Sequence, residues 1–295
     1  MNIDSLTHIL PKEISSEISK FQKLDQKFKE LFNEKTKISD ADNLVNKLKD
    51  CEINKAVVGG FGWTSDEITK LCNDYIIESG SKFEEIIPIC SVNIYSKNTE
   101  SKILNYINRG AKGIGELHFN YDEEIEENKV LKNTLRIALE YNLPTIIHAS
   151  EPLGHSYSGK GTNVPEKLYS LAKQNPENKF IFSHFGGGLV FYEQMPEVKE
   201  VLKNVYYDSA AQPFLYSRKV YKTSILCSNI NKILFASDFP LINFSRCLSG
   251  LSDLSDTEKK HILSYNPISV FNFCLLYTSD AADEGLGVDL GGRRI

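Results

Sequence analysis

The chain has 295 residues, of which 41% are hydrophobic, and a formal net charge of −5 at pH 7. This length can bury one large core, and the lack of a basic stripe argues against a nucleic-acid partner. The longest apolar runs are shorter than the roughly 20 residues of a membrane span, and the N-terminus does not resemble a secretory signal. We therefore expect a cytoplasmic protein that binds neither membranes nor nucleic acids.

Short apolar runs alternate with amphipathic segments from residue 1 to residue 273. The first connection, residues 11–50, is rich in Lys and Glu and predicts two surface helices. Helical periodicity follows Trp63 and again follows Asp122. Strands separated by helices imply parallel, right-handed crossovers, and eight such units predict a single-domain (β/α)8 TIM barrel over residues 1–273. The predicted strands are residues 2–9, 55–61, 86–92, 111–118, 144–150, 179–185, 205–210 and 232–238.

An open, doubly wound sheet is the alternative fold. It would need a glycine-rich phosphate-binding turn after an early strand, and VVGGFGW (residues 57–63) would have to form that turn. That segment lacks the third glycine at the required spacing, and no acidic residue follows the second strand in the usual way. The barrel is favoured.

The last 22 residues, CLLYTSDAADEGLGVDLGGRRI (274–295), differ in character from the rest of the chain. Lys, Asn and Ile give way to Gly, Ala, Asp and Arg, and the string reads as a translated transposase-type sequencing adapter. We therefore expect a non-native tail that takes no part in the fold. Without its four acids and two bases the net charge would be −3.

Four apolar runs end in residue types that bind metals: His8, His148, His184 and Asp238. The active sites of (β/α)8 barrels lie at the C-terminal ends of the strands, so these side chains are expected to share one mouth. Imidazole and carboxylate groups are ligands for divalent metals. A single core histidine bonded to a backbone carbonyl, or an N-cap role for Asp238, would also explain one position, but the repeated placement favours a site.

Further candidates lie at other strand ends. In GAKGIGELHFNYD, Glu116 and His118 share one face of the fourth strand, and Glu116 would contact a metal or its water if that face points inward; a surface ion pair is the alternative. One interpretation of the loop EPLGHSYSGKG (151–161) is that it covers the mouth of the barrel; the alternative is an ordinary flexible loop. The predicted substrate-binding residues are His155, Tyr157, Lys160 and Trp63.

Several motifs in order resemble the amidohydrolase-related family of metal-dependent hydrolases, in the branch of aminocarboxymuconate-semialdehyde decarboxylase-like enzymes. The motifs are IDSLTHILP, GAKGIGEL, IIHASEP, SHFGGG, VYYDSA, LFASDFP and YNPISVFNF, over about residues 2–273. The resemblance implies a distorted (β/α)8 barrel with one or two divalent metals, usually zinc. It further implies that His8, His148 and Asp238 bind metal, that His184 binds metal or acts on the substrate, and that Glu116 stands where some relatives have a bridging acid.

The first strand departs from the family pattern. Where the family has D-x-H-x-H, this chain has Asp4-Ser5-Leu6-Thr7-His8, so Leu6 replaces a ligand. Leucine cannot donate to a metal, and either Glu116 or water must replace the contact. We therefore expect a mononuclear site for zinc or manganese.

The leading functional hypothesis is a metal-dependent hydrolase of a small amide, lactone or cyclic imide. Metal-activated water would attack the carbonyl, Asp238 would take its proton, and His184 would polarise the carbonyl or protonate the leaving group. One alternative is non-oxidative decarboxylation of an unsaturated or aromatic acid at the same site. Another, permitted by Leu6, is a barrel that binds a ligand without turnover. The expected partner is a small-molecule substrate, and a homo-oligomer is left open.

Overall fold

The computed structural model of the protein describes residues 1–33, 35–97, 99–119 and 128–273. The expected non-native tail, residues 274–295, lies outside the described residues and stays a prediction. None of the helices in the described ranges is long and apolar enough to cross the hydrocarbon layer of a membrane.

Eight parallel strands form the centre of the molecule, one within each predicted run. Strands β1, β2 and β3 pair in order, and β4 to β8 pair in order. Single bridges between Thr7 and Phe239 and between Cys90 and Ile114 join the two groups into a closed ring. The (β/α)8 barrel is therefore confirmed, and the open sheet is excluded. The strands are β1 (Ile3–His8), β2 (Lys55–Gly59), β3 (Ile86–Pro88), β4 (Ile114–Leu117), β5 (Thr145–Ile147), β6 (Phe180–Phe182), β7 (Val205–Asp208) and β8 (Ile233–Leu234).

Helices cover the outside of the barrel and connect the strands. The helix after Trp63 is capped by Ser65, whose side chain accepts a hydrogen bond from the backbone N–H of Ile68. The described α-helices of the connections are α1 (Lys12–Ser16), α2 (Ile18–Leu24), α3 (Gln26–Leu31), α4 (Ala41–Lys49), α5 (Asp66–Lys82), α6 (Thr99–Asn108), α7 (Lys129–Glu140), α8 (Pro165–Gln174), α9 (Pro196–Val201), α10 (Gln212–Leu215), α11 (Val220–Cys227), α12 (Phe244–Ser249), α13 (Asp256–Lys260) and α14 (Asn266–Val270).

The first connection differs from its prediction. Instead of two surface helices it contains α1, α2, α3 and α4, and the first three bury Ile14, Phe21 and Phe28 in a small core that also contains Trp63. Asp25 accepts hydrogen bonds from the backbone N–H groups of Phe28 and of residues 64 and 65, so it caps α3 and holds it against the loop after β2. Most of the Lys and Glu side chains lie on the exposed faces of these short helices, although Lys27 is buried.

The barrel interior contains an apolar layer built by alternate strand residues. Its side chains are 0–6% exposed and pack against one another and against the C-terminal helix α14 through Val270. We refer to this set as the interior layer; its strand and strand-end members are Ile3, Leu6, Val57, Ile87, Ile89, Ile146, Ile181, Ala210, Leu234 and Ala236.

Candidate metal centre

Five side chains converge at the C-terminal ends of the strands. His8 ends β1, Glu116 lies in β4, His148 follows β5, His184 lies in the turn after β6, and Asp238 follows β8. His8 Nε2 lies 3.3 Å from Asp238 Oδ1 and 3.7 Å from Glu116 Oε2. His148 Nδ1 lies 3.1 Å from Glu116 Oε1 and 3.3 Å from His184 Nε2. The structure thus brings all five predicted metal and catalytic residues together.

Each of the three histidines uses its outer ring nitrogen in the same way. A backbone carbonyl lies within hydrogen-bond distance of that nitrogen, and a carbonyl can only accept, so we assign the ring proton to the outer nitrogen. The inner nitrogen of each ring is then a lone pair that points into the cluster. The pairs are His8 Nδ1 with Gly59 (3.0 Å), His148 Nε2 with Lys160 (3.2 Å) and His184 Nδ1 with Ala210 (2.8 Å).

The cluster therefore consists of acceptor atoms that face other acceptors. Within the described part of the chain, His8 Nε2 is buried without a hydrogen-bond partner. The atoms of Glu116, His148 and His184 that could bind a metal ion all lie within 4.8 Å of one another. Imidazole nitrogen and carboxylate oxygen at such distances are a donor set for Zn²⁺ or Mn²⁺, and the second nitrogens are held as metal-bound histidines usually are. The residues fit a divalent cation.

The electrostatics of the cluster are those of charges forced together in a buried space. Burial by itself raises the pKa of Glu116, but His148, together with His8 and His184, lowers that pKa on balance. Burial likewise lowers the pKa of His8 and of His184, and the carboxylates of Asp238 and Glu116 more than offset it, so both pKa values are raised. The cluster holds negative charge that attracts protons or a cation.

Glycines bring β4 close enough to its neighbours to place Glu116 at the centre. Gly115 has φ +139°, and a Cβ at this position would lie 2.6 Å from the carbonyl oxygen of Ile146. A Cβ on Gly62 would lie 2.4 Å from the backbone nitrogen of His118. Side chains there would push β4 outward, so the glycines permit the close backbone packing around Glu116.

A tight turn aims His184 into the cluster. His184 and Phe185 have φ values of +55° and +56°, a region that non-glycine residues rarely adopt. Asp208 Oδ1 accepts hydrogen bonds from the backbone N–H groups of His184 (3.1 Å) and Ala210 (2.9 Å). The carbonyl of Ala210 in turn accepts from the His184 ring. Asp208 thus orients His184; it was missed among the candidates, although it also is a carboxylate at a strand end.

A second buried acid organises the junction of β1 and β8. Asp4 Oδ1 accepts hydrogen bonds from the backbone N–H groups of Leu6 and Ser237, both at 3.1 Å. Burial raises the pKa of Asp4 to about 7. Asp238 follows with φ +62°, and its N–H donates to the carbonyl of Leu6 at 3.2 Å. The Leu6 side chain itself belongs to the interior layer, and both Asp238 and Glu116 stand beside His8. That Glu116 or water replaces the lost ligand stays a prediction.

A cavity of about 420 Å³ opens over the cluster. The ring of His8 stacks on Phe61, with centroids 4.1 Å apart and planes 18° apart. His118, the neighbour of Glu116 on the same face, also lines the cavity and stacks on His148 at 3.9 Å. The cavity walls are otherwise mostly apolar and include Leu31, Phe32, Phe61, Phe214, Leu215 and Leu241.

The four predicted substrate-binding residues separate into two groups. His155 and Tyr157 line the cavity. The ammonium of Lys160 instead donates to the carbonyls of Leu153 and His155, and only the Lys160 carbonyl reaches the cluster, through His148.

Trp63 is 1% exposed and packs behind Phe61, with ring centroids 5.1 Å apart. Among the described residues that line the cavity, neither Trp63 nor the Lys160 side chain is present, so their predicted substrate contact is corrected to Phe61 and to a backbone role. The sequence does contain Phe61, two residues after the end of β2, but an apolar side chain there carries no chemical signal.

Comparison with solved structures gives relatives over nearly the whole chain. One is 5-carboxyvanillate decarboxylase from Sphingomonas paucimobilis, with a TM-score of 0.73, 9% identity, and coverage of 92% of this chain and 99% of that chain. Another is 5-carboxyvanillate decarboxylase from Novosphingobium aromaticivorans, complexed with manganese and 4-hydroxy-3-methoxy-5-nitrobenzoic acid (TM-score 0.72, 16% identity, 92% and 96% coverage). A third is 2,6-dihydroxybenzoate decarboxylase complexed with 2,6-dihydroxybenzoate (TM-score 0.68, 12% identity, 92% and 99% coverage). At these identities the likeness shows the fold.

The sequence itself matches one family model. Comparison with curated proteins gave no match. The model described as Amidohydrolase matches residues 40–273, which begins after β1 and therefore leaves His8 outside the match. The matched segment contains Glu116, His148, His184 and Asp238. Because it covers most of the chain, the chain belongs to the amidohydrolase family.

Proposed function

We propose that the protein is a metal-dependent decarboxylase that removes carbon dioxide, without oxidation, from a small aromatic or unsaturated carboxylic acid. As a member of the amidohydrolase family the chain is an enzyme, which argues against a barrel that only binds a ligand. Decarboxylation was the alternative to hydrolysis in the sequence analysis. It is now preferred because the structures to which the chain is similar include decarboxylases of aromatic acids.

The observation that carries the proposal is the convergence of inner lone pairs. His8, Glu116, His148 and His184 would hold one divalent cation, with Asp238 beside them. When bound, Zn²⁺ or Mn²⁺ supplies a Lewis acid that anchors the substrate carboxylate. A single metal is favoured because Leu6 removes one ligand from β1.

The chain's own groups account for the remaining steps. Decarboxylation breaks the bond between the carboxylate and its carbon, leaves the electron pair on that carbon, and requires a proton there. Asp238 is suited to deliver this proton, because its side chain is 16% exposed while it faces His8 Nε2, so it can regain a proton from water. The apolar walls exclude water, which favours release of neutral carbon dioxide because the negative charge then moves from the carboxylate to the carbon that receives the proton.

Hydrolysis of an amide, lactone or cyclic imide is the second candidate, and the family description favours it. The same donors would hold the metal, and Asp238 would accept a proton from a water instead of donating one. The two candidates thus differ in the direction of proton transfer at Asp238 and in the product.

The test is a panel of aromatic acids, lactones and amides with the manganese- or zinc-loaded protein in D2O. We expect carbon dioxide release and one deuteron at the carbon that carried the carboxylate. Asp238→Asn should abolish turnover, whereas Asp253→Asn, a change of the same kind at a 40% exposed position, should not. Hydrolysis without carbon dioxide release would support the second candidate. A His148→Ala protein that binds as much metal as the parent would contradict both.

A further inference from the structure

The carboxylates and most imidazoles of the cavity lie at its floor, in the cluster. Its walls carry mostly aromatic and aliphatic side chains, and their uncharged polar members include Tyr157 and Ser158, with the imidazole of His155 beside them. Apart from histidines, the basic residue that lines it within the described ranges is Lys37, which is exposed at the rim. An ammonium that remains in water binds an anion weakly.

The guanidinium groups of the described chain are committed elsewhere. Arg109 pairs with Asp74, Arg136 with Glu100 and Glu140, and Arg218 with Asp253. Arg246 lies over the ring of Phe214, 4.7 Å from its centroid, and does not line the cavity. The bidentate partner that usually receives a buried carboxylate is therefore missing from the described walls.

A substrate with two carboxylates would leave one of them among apolar side chains. One carboxylate can be neutralised at the cluster, but the other would be moved from water to the walls without a counter-charge. Such a transfer is strongly unfavourable. An apolar arene gains by the same move, and a cavity of about 420 Å³ lies in the range of small-molecule sites.

Given the proposed function, we infer that the substrate carries one carboxylate on an apolar body and that the walls reject a second carboxylate. Phe61, Phe214 and Leu241 hold the body, and the cluster holds the single acid group. Selectivity comes from the lack of a buried cationic partner on the part of the walls that the structure describes, so it can be altered by adding one.

Calorimetric binding of a matched pair of acids to the manganese-loaded full chain tests the inference. The pair is 2-naphthoate and naphthalene-2,6-dicarboxylate, which share the ring system and differ by one carboxylate. We expect the monoacid to bind at least about tenfold more tightly, a modest demand given the cost of an unpaired buried charge. Equal or tighter binding of the diacid, or no binding of either acid, would overturn the inference.

Two arginine variants sharpen the result. Leu241→Arg adds a guanidinium to the cavity wall at a position that is 47% exposed, and it should improve diacid affinity at least about tenfold. Leu226→Arg makes the same change at a position that is 79% exposed and outside the cavity lining, and it should leave both affinities unchanged. Equal effects of the two variants would count against the inference. Selective binding of the monoacid, with no carbon dioxide release from any acid of the panel described under the proposed function, would uphold the inference and contradict the decarboxylase proposal.

Discussion

The cluster of five ionisable side chains and the interior layer beneath it are built largely from the same strands, yet the cluster is polar and the layer is apolar. On β1, Leu6 belongs to the interior layer and His8 to the cluster; after β5 and β8 the pairs Ile146 and His148, and Ala236 and Asp238, repeat this step. Two residues along a strand return a side chain to the same face, one level higher.

The candidate site therefore occupies the last inward position at the ends of β1, β5 and β8, one level above the interior layer. The layer below is closed and apolar, so it supports the strands without competing for a metal. Two cluster residues depart from this step. His184 lies three residues after Ile181 of the interior layer and needs the turn held by Asp208 to point inward. Ile114, two residues before Glu116, does not belong to the interior layer. Substitutions in the cluster should therefore change metal binding, and substitutions in the interior layer should change the free energy of unfolding.

The largest effect is expected from removing a donor in the cluster. Glu116→Gln takes away the charge that faces three histidines, and metal affinity should fall at least about a hundredfold, close to 3 kcal/mol. The metal-dependent rise in melting temperature should shrink accordingly. Metal analysis and thermal unfolding with and without manganese measure this, with Glu258→Gln as the control. Undiminished metal binding would show that the cluster is a hydrogen-bonded structural feature.

Removing a side chain from the interior layer should have the opposite pattern. Leu6 is fully buried, so Leu6→Ala should reduce the free energy of unfolding by about 2–5 kcal/mol while metal stoichiometry stays the same. Denaturant unfolding of the metal-free protein measures the loss, and Leu226→Ala on the surface should cost under about 0.5 kcal/mol. If Leu6→His raised metal affinity, position 6 would belong to the cluster and not to the interior layer.

The turn that carries His184 gives a smaller, purely kinetic effect. Asp208→Asn weakens the acceptor that holds the N–H groups of His184 and Ala210, and turnover should fall about ten- to a hundredfold. At saturating manganese, metal content and KM should change little, since the donor atom of His184 remains. Measuring kcat and KM separately, with Asp208→Ala for comparison, tests this; a parallel loss of metal would assign Asp208 to the cluster itself.

The smallest effect is expected far from both levels, at the ion pair of Lys222 and Glu258. Hydrogen bonds from Lys222 and Ser255 lower the pKa of Glu258 from 4.5 to about 2. Its contribution to stability is therefore complete above pH 4.5 and is lost as the pH falls toward 2. Because the Lys222 side chain is 44% exposed, this amounts to a few tenths of a kcal/mol, about 0.3. Unfolding of Lys222→Met against pH should show a flatter slope there; an unchanged slope would contradict it.

Much of the fold and of the donor set was predictable because the signals are local. Apolar runs of strand length and helical periodicity predicted all eight strands and the barrel. His8, His148, His184 and Asp238 were recognisable as polar side chains where a buried strand ends. The first connection was mispredicted because its charged composition concealed three buried apolar residues, Ile14, Phe21 and Phe28, spaced seven apart.

The sequence by itself determined which residue types stand at the ends of the strands, since alternation and run length are properties of neighbouring residues. Only the tertiary structure decided that Glu116 on β4 lies beside His8 on β1. It also decided that three backbone carbonyls hold the histidine rings with their lone pairs pointing into the cluster; these are the carbonyls of Gly59, Lys160 and Ala210. It likewise placed Phe61 rather than Trp63 on the cavity wall. His8 and Gly59 meet through the pairing of β1 with β2. The bridge between Thr7 and Phe239, which helps to close the barrel, brings Asp238 beside His8.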